Sequence, residues 1–217
     1  MSKSTIRVLV VDDHPIVRRG LSAEINLDPG MQVVGEAQDG AEAVAMARQL
    51  KPDVILMDLM MPEKNGIEAS AEIIHENPDA CILILTSFTE EEKIYASIKA
   101  GASGYIFKDK RPEELLNAIR DVHQGVPLLN PTITRRLIRE LREKEHPVSE
   151  PHAQLTEREM DILRRVAQGA PYKEIAREMN VREATIRAHV SSILNKLDLS
   201  NRSQLVLYSI QHKLIEP

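Results

Sequence analysis

The apolar positions of the first 127 residues alternate between two rhythms. Short unbroken runs such as VLVV and VILM carry no polar alternation, the pattern of strands covered on both faces. They predict strands at Arg7–Val11, Gln32–Ala37, Val54–Asp58, Ile82–Thr86 and Tyr105–Lys108. Between and after them the apolar residues recur at helical spacing, near Pro15–Asn26, Ala41–Leu50, Gly66–Glu76, Glu90–Ala100 and Pro112–Gln124. Five strand–helix repeats predict a doubly wound α/β fold, a five-stranded parallel sheet in the flavodoxin-like order 2-1-3-4-5.

Beyond Gly125–Pro127 only the helical rhythm remains. Asn130 is placed to cap a helix with Pro131 at its first position, running toward Glu145 with Ile133, Leu137 and Leu141 on one face. The stretch HPVSEPHA then reads as a flexible linker. A second domain opens at Leu155, where Thr156 and Glu159 have the spacing of a capping box and Leu155 and Met160 that of a hydrophobic staple. That helix should stop at Gly169 and be followed by helices near Tyr172–Met179, Glu183–Lys196 and Arg202–Leu214. The expected organisation is an α/β domain over 1–127, a linker helix and linker over 128–153, and an all-α domain over 154–217.

Charge sharpens this division. The 217 residues carry a net charge of −5. Residues 1–127 hold 13 Lys/Arg against 21 Asp/Glu, whereas residues 154–217 hold 10 against 8. An acidic first half suits a cation site, and a weakly basic second half suits phosphates if its charges cluster. No apolar run approaches the ~20 residues of a membrane span, and MSKSTIRVLVVDD has no signal-peptide layout, so a cytoplasmic protein with no membrane partner is expected. The single Cys81 excludes an intramolecular disulfide; at the head of CILIL it reads as a buried, inert thiol.

In an open parallel sheet, ligands sit beyond the carboxyl ends of the strands where strand order reverses. Asp12 and Asp13 follow the first predicted strand and Asp58 ends the third, its neighbour in the sheet, so the three carboxylates converge. Clustered anions need a cation, and an all-oxygen set with open positions suits Mg²⁺. Asp12 or Asp13 could instead cap the helix at Pro15. Asp53 begins the third strand and belongs at the opposite edge. Thr86 and Lys108 end strands four and five at the acidic edge, offering a hydroxyl and a positive charge to phosphoryl oxygens while a carboxylate attacks phosphorus.

The motifs VVDDHP, DLMMP–KNG, the strand end at Thr86 and GYIFKD resemble, in order and spacing, the receiver domain of response regulators. The resemblance implies that Asp58 accepts a phosphoryl group from a sensor histidine kinase. It also implies that Asp13, Asp58 and the Met60 backbone carbonyl bind Mg²⁺ directly and Asp12 through water. Lys108 would pair with the phosphoryl group, and Thr86 with Tyr105 would report it. Here Lys108 precedes Asp109, where many receivers have proline after a cis bond.

In Glu183–Lys196, Ile186, Val190, Ile193 and Leu197 form one stripe at steps of four, three and four. The other side carries Arg187, Ala188, Ser191 and Asn195, with Arg182 at the entrance: small, hydrogen-bonding and cationic residues suited to a major groove. Lys173 starts the preceding helix, a good position for meeting a phosphate. The segment from LTEREMDIL to LSNRSQL resembles the LuxR-type helix-turn-helix, and with the receiver it resembles the NarL/FixJ response regulators over nearly the whole chain. That resemblance implies base contacts from Arg187, Ala188 and Ser191 and DNA-backbone contacts from Lys173 and Lys196. Arg182 stands where the family usually has a Ser or Thr cap, and Ser191 where some relatives have lysine. Leu205, Tyr208 and His212, at helical spacing on the last helix, are the candidate face for a homodimer on double-stranded promoter DNA.

A phosphatase with an aspartyl nucleophile would share the chemistry, but it needs a general acid two residues on, where this chain has Met60. The expectation is therefore a phosphorylation-controlled DNA-binding protein and not an enzyme, with slow loss of its own phosphoryl group. A helical protein-interaction domain is the alternative reading of the second half.

Overall fold

The structure, a computed structural model, describes residues 5–87, 91–136, 154–199 and 201–215. The chain divides into two compact units, Met1–His123 and Gln124–Pro217.

The first unit runs β1 (Ile6–Val11), α1 (Pro15–Leu27), β2 (Met31–Ala37), α2 (Gly40–Leu50), β3 (Val54–Asp58), α3 (Gly66–Glu76), β4 (Ile82–Thr86), α4 (Glu91–Lys99), β5 (Gly104–Phe107) and α5 (Pro112–Gln124). All strand pairs are parallel, in the order β2-β1-β3-β4-β5 that the alternation predicts. Val8–Val11, Val54–Met57 and Ile82–Leu85 are each at most 2% exposed, which is why these runs lack polar alternation. At ~1.5–3 kcal/mol per fully buried large apolar side chain, these three strands form the core.

Three local expectations change. The strand β5 stops at Phe107, one residue before Lys108. The Lys108 N–H still donates to the Thr86 carbonyl at 2.9 Å, so the residue leaves the strand with its backbone tethered and its side chain able to turn over the sheet edge. At α1, the N-cap is His14, followed by Pro15, and no side chain caps the helix. Asp12 Oδ1 accepts instead from the His14 N–H at 2.9 Å. Cys81 is partly rather than fully buried, its Sγ 3.9 Å from the Asp79 carbonyl.

In the second unit, residues 131–136 are helical and the Ile133 N–H donates to Asn130 Oδ1 at 2.7 Å, the expected cap. Leu137, Leu141 and HPVSEPHA lie outside the described residues. Four helices follow: α6 (Glu157–Ala167), α7 (Tyr172–Glu178), α8 (Glu183–Lys196) and α9 (Arg202–Gln211). The capping box at Thr156 is formed in both directions, and Leu155 and Met160 both pack against the domain core. Just beyond α6, Gly169 takes φ +85°, the left-handed geometry that ends a helix at little cost in glycine.

Of the expected dimer face, His212 is partly exposed, but Leu205 and Tyr208 are turned inward. Leu205 and Tyr208 are 0% and 5% exposed within the helical core that contains Ile162, Ile175, Ile186 and Val190. The His212 ring lies against Tyr208, with centroids 4.1 Å apart. Apolar residues at helical spacing here mark the helix's inner side, and a second copy could reach them only by opening the core.

Candidate functional site

The parallel register builds the acidic pocket. Val11 pairs with Met57 across β1 and β3, so the next residues, Asp12 and Asp58, emerge side by side. Ligand atoms of Asp12, Asp13, His14 and Asp58 all lie within 4.8 Å of one another. Asp53 is at the other edge, where it accepts from the Arg7 N–H at 2.8 Å. Among the acids at the carboxyl edge, Asp12 is fully buried and Asp58 is 5% exposed.

Lys108 answers that crowding. Its Nζ lies 2.6 Å from Asp12 Oδ2 and 3.1 Å from Asp58 Oδ1, so one ammonium neutralises part of a pair that would otherwise repel. Burial raises the Asp58 carboxyl above its ordinary pKa; Lys108 opposes this, and Asp12 reinforces it. Burial likewise works against the Lys108 ammonium, but the hydrogen bond to Asp12 and the nearby charge of Asp58 outweigh it and raise its pKa. Thr86, 1% exposed, ends β4 at this edge. Tyr105 is half-buried on β5, its ring edge-on to Phe107 at 5.5 Å.

The loop after Asp58 is held by Asn65 and Gly66 of the KNG motif together with Glu68, which that motif does not include. Asn65 Oδ1 accepts from the N–H groups of Ile67 and Glu68, and Glu68 returns a bond to the Asn65 N–H at 3.2 Å. The N-x-x-E spacing could have revealed this capping box. A Cβ on Gly66 would sit 2.0 Å from the Asp58 carbonyl oxygen, so the helix start packs directly on the strand end. Met60 is 46% exposed in this loop. The described residues contain no cis peptide, so Lys108–Asp109 is trans.

In the helical domain, α7 and α8 are joined by a turn in which Asn180 takes φ +53°. Helix α8 buries Ile186, Val190, Ile193 and Leu194 and exposes Arg182, Ala188, Asn195 and Lys196; Arg187 and Ser191 are partly exposed. Arg182 is the N-cap and makes no side-chain cap bond, so the first turn lacks that support. Lys173 is exposed at the start of α7. Arg187 donates to Glu183 Oε1 at 2.8 Å, so an acid shares α8 with the expected base-contacting residues.

Lys196, the expected DNA-backbone contact, is exposed and already paired within the domain. Its Nζ lies 2.7 Å from Glu159 Oε2, while Ser192 Oγ lies 3.1 Å from Glu159 Oε1. Glu159 is 5% exposed. Its hydrogen bonds to Lys196 and to the Thr156 N–H hold its carboxyl down to about 2. The sequence marks Glu159 as a cap; its second task, fastening α8 to α6, depends on residues more than thirty positions away.

An acidic pocket at a sheet edge, joined in one chain to an exposed helix on a helix-turn-helix, defines a phosphorylation-receiving DNA regulator. Residues 8–120 match the response regulator receiver domain, and residues 153–209 match the bacterial regulatory proteins of the luxR family. The chain is 41% identical over 210 residues to the transcriptional regulatory protein LiaR of Bacillus subtilis, covering 97% of this chain and 99% of LiaR. It is 39% identical over 212 residues to the response regulator protein VraR of Staphylococcus aureus, covering 98% and 100%. A solved structure of two RcsB dimers bound to two parallel DNAs is similar at a TM-score of 0.54 and 26% identity, over 96% of this chain and 99% of that one. The chain belongs to the NarL/FixJ family of two-component response regulators, with a receiver domain and a LuxR-type DNA-binding domain.

Proposed function

We propose that a sensor histidine kinase phosphorylates Asp58 and that this shifts the receiver toward a state that favours pairing of two chains and promoter binding by α8. The carrying observation is the buried Asp58 carboxylate beside the Lys108 ammonium and the Asp12 and Asp13 side chains.

An Asp58 oxygen would attack the phosphorus of a phosphohistidine. The new O–P bond forms as the N–P bond breaks, and the imidazole nitrogen leaves with the bonding pair and takes up a proton. Lys108 would turn from Asp12 and Asp58 to the phosphoryl oxygens, and the Thr86 hydroxyl would donate to one of them. The oxygen-rich donor set of Asp12, Asp13 and Asp58 fits Mg²⁺, held by Asp13, Asp58 and the Met60 carbonyl with Asp12 acting through water. When bound, Mg²⁺ would supply positive charge to the attacked phosphoryl group. Met60 offers no proton-transfer group at the pocket mouth, which favours slow self-hydrolysis of the phosphoaspartate.

On DNA, Arg187, Ala188 and Ser191 would face base edges, Asn195 and Arg182 would flank them, and Lys173 would meet a phosphate. Among the described residues no helix is long and apolar enough to cross a membrane, and the chain's site of action would be the cytoplasm. Gel shifts with and without a small phosphodonor test the switch. Wild-type affinity should rise on phosphorylation and that of Asp58→Ala should not; equal affinities throughout would refute the proposal.

A further inference from the structure

Tyr172 opens α7, outside the recognition helix, and is half-buried against the helical core. Two guanidinium groups border its ring: the Arg187 Cζ lies 5.2 Å from the centroid and the Arg202 Cζ 4.5 Å. Arg202 is itself fastened, its Nη2 donating to the carbonyls of Ala170 at 3.1 Å and Val166 at 3.4 Å. The ring is therefore fixed by its backbone on α7, by the core and by an anchored arginine from α9. Of the three side chains, Arg187 is the one on α8, and it also donates to Glu183 Oε1 at 2.8 Å.

An arginine reads guanine through two parallel hydrogen bonds, so the orientation of its planar head determines how well it discriminates. A free arginine loses rotamer freedom on binding, and a head already held by a ring and a carboxylate loses less. We infer that Tyr172 is a positioning residue for DNA reading: its ring, steadied by Arg202, orients the Arg187 guanidinium and so sharpens base discrimination without touching a base. This rests on the proposed base contact of Arg187.

The experiment uses the full chain, phosphorylated with acetyl phosphate. Its probes are a duplex selected by the wild-type chain from a random pool and a scrambled duplex of equal length. The readout is the ratio of the two affinities. Tyr172→Leu should lower the ratio by about 3- to 5-fold, the range expected when a cation–π interaction is removed. Tyr172→Phe should keep it, and adding Tyr172→Leu to Arg187→Ala should lower it no further than Arg187→Ala alone. A purely structural role would weaken both duplexes alike and add to the Arg187→Ala effect, overturning the inference. If Arg187→Ala collapses the ratio but Tyr172→Leu leaves it intact, the inference falls and the base contact stands. If Arg187→Ala itself changes nothing, the base contact falls and takes the inference with it. In the unmutated protein, the Arg187 Nε–H resonance should show an upfield ring-current shift; an unshifted resonance also overturns the inference.

Discussion

The ammonium of Lys196, near the end of α8, lies 2.7 Å from the carboxylate of Glu159, in the first turn of α6. One residue thus caps one helix and fastens another, because Glu159 also accepts from the Thr156 N–H at 2.9 Å. Glu159→Gln should destabilise the helical domain by ~1–2 kcal/mol at pH 7, the scale of a charged hydrogen bond. The pH dependence has a definite sign. A carboxyl held down to about 2 stabilises the fold fully above its ordinary value of 4.5 and loses that contribution as pH falls toward 2. Unfolding of the wild type and Glu159→Gln across this range should show the gap closing toward acid; a constant gap would contradict it.

Lys196 and Lys173 should separate in their response to salt. Removing a side chain that neutralises one phosphate flattens the slope of log affinity against log salt by about 0.9. Lys173→Ala should flatten the slope by that amount, since the residue is exposed at the start of α7. Lys196→Met should leave the slope nearly unchanged while lowering thermal stability, because its charge is committed to Glu159. A flattened slope in the Lys196 variant would return it to the DNA-binding set.

Gly66→Ala should damage the proposed phosphoacceptor site through backbone geometry alone. The added methyl would meet the Asp58 carbonyl oxygen at 2.0 Å, and relief requires α3 and the end of β3 to separate. A cost of ~1–3 kcal/mol is typical of overpacking. Urea unfolding and the phosphorylation rate should both suffer; a variant with wild-type values of each would show that the loop yields freely.

Asp58→Asn should stabilise the receiver at neutral pH while abolishing phosphorylation. Burial raises the Asp58 carboxyl, so its cost to the fold builds as pH climbs above the ordinary value of 3.8 and is complete above the raised folded-state value; an amide avoids that cost. The stability gain should shrink as pH falls and Asp58 takes up a proton. Thermal unfolding without divalent cations should show this trend; an Asn variant less stable than wild type at pH 7 would argue against it.

The sheet order was legible because strands buried on both faces cannot hide their composition: VLVV, VILM and ILIL admit little else. Asp12 and Asp58 were legible as neighbours for the same reason, since strand ends in a known order have predictable positions. The helical domain was less completely legible. Leu205 and Tyr208 have the spacing of an amphipathic stripe, but spacing alone does not say whether the covering surface belongs to the same chain or another. Tyr172 gave no signal because its neighbours come from α8 and α9 and meet it only after folding. Glu183 looks like one more acid in a first helix turn, yet it holds Arg187.

Lys108 reaches from beyond β5 past the end of β4 to side chains on β1 and β3. Lysine and the two carboxylates together therefore link the ends of β1, β3 and β5 along one rim. If an anion seated at Asp58 drew this ammonium toward itself, the pull would pass along the lysine into the short connection between β5 and α5.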